Sequence, residues 1–187
     1  MPELPEVETV RRSLAPALEG ARVVSTRVRH PRLARRNERP TDIEDRLSGR
    51  LIHQVNRTGK FLMTEIEGDL TWVTHLGMSG RIELADPGAP EAPHTHVVVE
   101  TNRGQVFRMV DPRTFGFVAV FTPDELAGST LADLGPDALN HLPRSPVWTK
   151  RMAGRKVAIK SLLLDQRFIA GLGNIYADEV LHRARIR

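Results

Sequence analysis

Residues 51–76, LIHQVNRTGKFLMTEIEGDLTWVTHL, decide the fold class. Leu51–Arg57, Lys60–Ile66 and Leu70–Leu76 are short runs rich in β-branched residues, separated by the turn signals Thr58-Gly59 and Glu67-Gly68-Asp69. The pattern continues outward on both sides. Arg22–Val28 precedes it, and Val97–Thr101, Gln105–Val110 and Phe117–Phe121 follow, with Asn102-Arg103-Gly104 as a further turn. Seven runs at this spacing predict a β-sandwich. Ala85–Pro93, carrying Pro87, Pro90 and Pro93, reads as a loop. Ahead of the strands, Pro5 with Glu6 and Glu8 opens a helix with an apolar face at Val7, Val10 and Leu14, and Gly20 ends it. Beyond Pro123 the pattern turns helical, with helices expected over Asp124–Leu139, Val147–Met152, Val157–Gln166 and Ile175–Ala184. The expectation is an α+β chain of two domains: residues 1–125, an N-terminal helix plus antiparallel β-sandwich, and residues 126–187, a helical domain.

Lysine occurs only at positions 60, 150, 156 and 160, so 23 of the 27 basic residues are arginine, on a net charge of +4. The arginine fork suits bidentate phosphate contact, which tilts the expectation towards a polyanionic partner. The absence of cysteine excludes disulfides and thiolate zinc sites within the chain. No apolar run is long enough to span a membrane, and the acidic N-terminus does not read as a signal peptide, so the cytoplasm is the expected location.

The chain begins Met1-Pro2-Glu3-Leu4-Pro5-Glu6-Val7-Glu8. Trimming of Met1 would leave Pro2 as a free secondary amine, partly unprotonated at neutral pH because an α-amino group titrates near ~8. Attack of such an amine on a sugar aldehyde carbon gives a cationic iminium, an electron sink for later bond cleavage, with Glu3 in reach as acid or base. A plain helix start remains the alternative for this segment. Lys60 is a lone lysine behind the Thr58-Gly59 turn. In His75-Leu76-Gly77-Met78-Ser79-Gly80, two glycines bracket Met78 and push it outward. Asp111-Pro112-Arg113-Thr114-Phe115-Gly116-Phe117 holds a cation and an aromatic two residues apart, the parts of a wedge that unstacks a base step. Lys160–Gln166 followed by Ile169–Glu179 reads as helix, two-glycine turn and second helix, with Asn174 capping a phosphate-binding N-terminus. His94 and His96 fall on one strand face, but no third ligand is apparent and no metal site is expected.

In wording and in order, these segments resemble the bacterial formamidopyrimidine-DNA glycosylases across residues 2–187. The start PELPE favours the oxidised-purine enzymes over the related endonuclease VIII, which typically reads PEGPE. The resemblance implies base-excision repair by a bifunctional glycosylase that removes formamidopyrimidines and 8-oxoguanine and cleaves the abasic site by β-elimination through an N-terminal proline Schiff base. It implies Pro2, Glu3 and Lys60 as catalytic residues. His75, His94, Arg113, Arg155, Lys160 and Asn174 become DNA contacts, and Met78, Arg113 and Phe115 the intercalating wedge. Thr114 departs from the family's second arginine. The helical segment corresponds to the family's helix–two-turn–helix. The implied partner is damaged double-stranded DNA, bound by a monomer. No cofactor is expected here, since the family's zinc is held by a C-terminal four-cysteine finger that these 187 residues lack, along with the loop that caps the flipped base. The alternative is a catalytically weak DNA-binding module of the same fold.

Overall fold

The structure is a computed structural model that describes residues 2–186. Processing of Met1 lies outside the described residues. Helix α1 (Leu4–Leu18) begins where the Glu6 carboxylate accepts the Glu3 N–H at 2.9 Å, and it buries Leu4, Val7, Leu14 and Leu18. Gly20, at φ +74°, turns the chain into β1 (Val23–Val28). A short 3-10 turn (Pro31–Ala34) and helix α2 (Pro40–Leu47) follow. Strands β2 (Ile52–Thr58), β3 (Phe61–Ile66), β4 (Leu70–His75), β5 (Arg81–Ala85), β6 (Thr95–Thr101), β7 (Val106–Val110) and β8 (Phe117–Phe121) then form two antiparallel four-stranded sheets, ordered β1-β6-β7-β5 and β2-β3-β4-β8. The first α+β half is thus a sandwich behind a helix, as expected.

Alternation supplies the core. Val97, Val99, Phe107 and Met109 of one sheet face Ile52, Leu62, Trp72, Val118 and Val120 of the other, and Trp72 meets Phe107 edge-on at 4.9 Å between ring centres. Helices α1 and α2 add Leu14, Leu18, Ile43 and Leu47 to the same cluster. The outer face of the second sheet, Val73, Ala119, Phe117 and Phe121, is covered by Leu126 and Leu131, which is why β8 is buried on both faces.

Three readings need correction. Strand β5 was not expected: its one β-branched residue is Ile82, and pairing with β7 through Arg81–Val110 to Ala85–Val106 makes a weakly patterned segment an edge strand. Helix α2 was likewise absent from the sequence reading. The single helix over Asp124–Leu139 is instead α3 (Pro123–Ala127), started by the Thr122–Glu125 capping box and ended at Gly128, with turns beyond it. Ser129-Thr130 and Gly135-Pro136 cannot sustain a helix there. The remaining helices are α4 (Ser145–Met152), α5 (Ile159–Leu164) and α6 (Asn174–Arg183).

Candidate DNA-processing site

The chain start is sewn to the first turn of α6. Glu3 is 1% exposed, although it is a carboxylate. Its oxygens accept the N–H groups of Gly173 at 2.7 Å, Ile175 at 2.9 Å and Tyr176 at 3.2 Å. These are the orphan donors of a helix N-terminus, and the negative charge complements the helix dipole. Leu4 N–H also donates to Gly171 O at 3.1 Å. Here the sequence reading is corrected: Gly173, not Asn174, occupies the cap position, with no side-chain cap bond, and Glu3 does the capping from 170 residues away. Asn174 is the first helical residue and is exposed. The half-buried Pro2 lies one residue before this anchor.

Lys60 reaches the same place. It sits in the turn between β2 and β3 rather than in a strand, and is 8% exposed. A side chain on Gly173 would begin 2.4 Å from Glu3 Oε1 and 2.8 Å from Lys60 Nζ, so only glycine admits both groups here. Burial pushes the Lys60 ammonium below its ordinary pKa, and the Glu3 carboxylate partly offsets this. A cleft of about 280 Å³ opens beside it, lined by Lys60, Phe61, His75, Gln166 and Asn174 among others. Burial, then Lys60, Arg35 and Arg36, push His75 down to about 4. Gly77 N–H donates to His75 Nδ1 at 3.2 Å, so the neutral ring carries its proton on Nε2, free to donate outward.

The Lys60 turn is fixed from below by Asp137, a residue with no signal in the sequence beyond Gly135-Pro136-Asp137 as a turn. Asp137 accepts both Arg57 Nη atoms, at 2.6 and 3.0 Å, and the Gly59 N–H at 2.7 Å. It also accepts Leu139 N–H at 3.0 Å and Asn140 N–H at 3.1 Å. Burial works to raise its pKa, but Arg57 and these N–H groups outweigh it and hold the carboxyl at about 2. Gln166 does similar work on the two-glycine turn, donating to Leu164 O and Leu172 O and accepting Gly171 N–H.

Two loops carry Met78 and the Arg113–Phe115 pair side by side. Met78 is 45% exposed and Phe115 37% exposed, while the Arg113 guanidinium lies 4.6 Å from the centre of the Phe115 ring. The backbones touch: a Cβ on Gly77, which has φ +62°, would fall 2.4 Å from Gly116 N. Buried Asp111 ties the loops together, accepting Ser79 Oγ at 2.6 Å and Gly116 N–H at 2.8 Å. Arg32, Arg35, Arg36 and Arg113 form no ion pair among the described residues, whereas Arg11, Arg22, Arg27, Arg46 and Arg57 are each neutralised by a carboxylate. The surface around Phe115 is therefore left with uncompensated positive charge.

The other sequence candidates lie apart from this cluster. His94 is exposed in the turn before β6, at φ +66°, and so does not share a strand face with His96; the rings are 6.2 Å apart. Lys160, on α5, pairs with Asp178 of α6 at 2.6 Å. Arg155 is exposed after α4, with its guanidinium 5.3 Å from the Phe168 ring centre. Among the described residues no group of three or more His, Asp or Glu side chains is arranged to hold a metal ion, and no helix is long and apolar enough to cross a membrane.

Two family models match the chain: the formamidopyrimidine-DNA glycosylase N-terminal domain over residues 1–118 and the formamidopyrimidine-DNA glycosylase H2TH domain over residues 134–187. The chain is 42% identical over 189 residues to a formamidopyrimidine-DNA glycosylase of Moorella thermoacetica, covering 100% of this chain and 68% of the relative. Against the enzyme of Geobacter sulfurreducens it is 42% identical over 186 residues, again covering 100% of this chain and 68% of the relative. Among solved structures, Lactococcus lactis Fpg in complex with abasic-site DNA superposes at a TM-score of 0.89, with 32% identity and 100% and 68% of the two chains covered. The same protein with DNA containing N7-benzyl-Fapy-dG gives 0.90, at 33% identity and the same coverage.

Proposed function

The chain belongs to the formamidopyrimidine-DNA glycosylase family, and on that premise we propose that it acts in base-excision repair, removing oxidised purines from duplex DNA and cleaving the resulting abasic site through Pro2. The Pro2 nitrogen, freed when Met1 is removed, adds to the sugar C1′ and the damaged base departs with the electron pair of its glycosidic bond. The nitrogen gives up its proton and the C1′–O4′ bond opens, O4′ keeping the electron pair and taking up a proton, which leaves an iminium at C1′. This iminium withdraws electrons, C2′ loses a proton, and the 3′ phosphate leaves with its bond pair. Hydrolysis of the iminium returns the amine.

Glu3 holds the chain start in place through its bonds to the first turn of α6, which fixes Pro2 relative to the helical domain. Lys60, with its lowered pKa, faces the sugar phosphate as a cation or passes a proton near it. His75 Nε2–H and the exposed Asn174 take phosphate oxygens in the same cleft, and His94, Arg155 and Lys160 bind the duplex further out. Met78, Arg113 and Phe115 fill the space left by the everted nucleotide, where the cost of unstacking is recovered. Residues 1–125 supply the chemistry and residues 126–187 the backbone grip. The zinc site implied by the family has no ligands here, because the chain holds no cysteine, and no step runs through it.

The observation that carries the reading is the joint at Gly173, where the residue next to Pro2 and the one buried lysine of the sandwich converge on a helix N-terminus. Borohydride trapping on abasic duplex DNA, with mass spectrometry of the N-terminus, tests it. Protein beginning at Pro2 should form a stable adduct that Pro2→Ala weakens, and should release 8-oxoguanine from a matched duplex. Folded, DNA-bound protein with a free Pro2 and no adduct would overturn the amine mechanism and leave a binding module.

A further inference from the structure

Phe115 projects from a loop whose backbone is strained. Thr114, next to it, sits at φ +53°, a left-handed conformation that a β-branched residue disfavours. Something must hold the loop there. From inside, Asp111 accepts the Gly116 N–H at 2.8 Å. From outside, Arg35, just after the Pro31–Ala34 turn and far from the wedge in sequence, donates Nη2 to Phe115 O at 2.9 Å and Nη1 to Gly116 O at 2.5 Å. Its Nη1 also donates to Arg32 O at 2.7 Å, and its guanidinium lies 5.3 Å from the Phe117 ring centre.

We propose that Arg35 is a positioning residue for the wedge, clamping two successive carbonyls so that the Phe115 ring stays projected towards the duplex. A planar fork spans two carbonyls at once, which an ammonium cannot do in one fixed geometry. Of the three neighbouring arginines, only Arg35 donates its guanidinium to peptide carbonyls of the 115–116 loop among the described residues, which separates its role from those of Arg32 and Arg36. The inference rests on the proposed use of Phe115 as a wedge.

The test compares Arg35→Lys and Arg35→Ala with Phe115→Ala and the double variant in the full 187-residue chain. One measurement needs no activity: hydrogen exchange of the 113–117 amides should quicken about tenfold or more in both Arg35 variants, with β8 beyond Val118 unchanged, as a local opening would give. The second is fluorescence of 2-aminopurine opposite an abasic analogue in bound duplex. Unstacking should fall in Arg35→Ala nearly as far as in Phe115→Ala, with no further fall in the double variant, the non-additivity expected of residues acting as a unit. Arg35→Lys should not restore it. Unchanged exchange in the loop overturns the clamp, as does a fluorescence loss that is fully additive with Phe115→Ala. Wild-type protein that binds duplex without unstacking overturns the wedge reading itself, and is distinguished because the exchange result stands independently of it.

Discussion

Replacing Asp137 with asparagine should cost about 3–5 kcal/mol of folding stability, the usual penalty for breaking a buried ion pair by altering one partner. The magnitude can be assembled from the site. Arg57 and the surrounding N–H groups hold the carboxyl at about 2 rather than 3.8, and at ~1.4 kcal/mol per unit the charged form is favoured in the fold by ~2–3 kcal/mol. Asparagine also turns one acceptor into a donor facing Arg57 or Gly59 N–H, leaving a buried donor unpaired for a further ~1–3 kcal/mol. Against a typical total of about 5–15 kcal/mol this is a large fraction. Urea titration with linear extrapolation measures it, and the pH dependence gives the sign. The Asp137 contribution is fully present above its unfolded pKa and is lost as pH falls through about 2, so the gap between wild type and variant should narrow from about pH 4 downward. The Lys60 turn should loosen in parallel, since Gly59 loses its anchor. A stability loss under about 1 kcal/mol with unchanged m value would show that the second carboxylate on Arg57, Glu8 Oε2 at 3.1 Å from Nε, holds the turn by itself, and would refute the role given to Asp137.

Phe115→Ala should reduce processing of a lesion in duplex by about tenfold or more, while cleavage of an unpaired abasic site stays within about twofold, because unstacking is required only in the duplex; equal losses on both substrates would make Phe115 a folding residue. His75 imposes a second pH dependence: its unfolded pKa is 6.5 and its folded value about 4, so the unfolded chain takes up the proton first and stability should decline as pH drops through that window, by up to ~3 kcal/mol. His75→Gln should flatten that slope in urea titrations at pH 4–7. Glu3→Gln keeps the shape but offers one acceptor oxygen to three N–H donors, so amide exchange at Ile175 and Tyr176 should quicken and stability fall by about 1–3 kcal/mol; unchanged exchange would mean that α6 does not depend on the chain start.

Local pattern by itself determined seven of the eight strands, because a period of two and Gly-rich turns such as Thr58-Gly59 act within a few residues. It likewise marked α1, the two-glycine turn before α6 and the exposed loops around Met78 and Phe115, and the wording of those segments carried the family. Only the tertiary structure decided what those segments do to one another. The sequence places Glu3 at a helix start, where its obvious partner is its own helix; folding turns it onto Gly173, Ile175 and Tyr176 instead. Asp137, Asp111 and Arg35 carry no periodicity, since much of what each holds is a peptide N–H or carbonyl group with no residue identity to read, and the side-chain partners, Arg57 and Ser79, and the carbonyls of Phe115 and Gly116 lie 32 to 81 positions away. Edge strand β5 and helix α2 were invisible for a related reason: their intrinsic preferences are weak, and packing against β7 and β1 supplies what the local chain lacks.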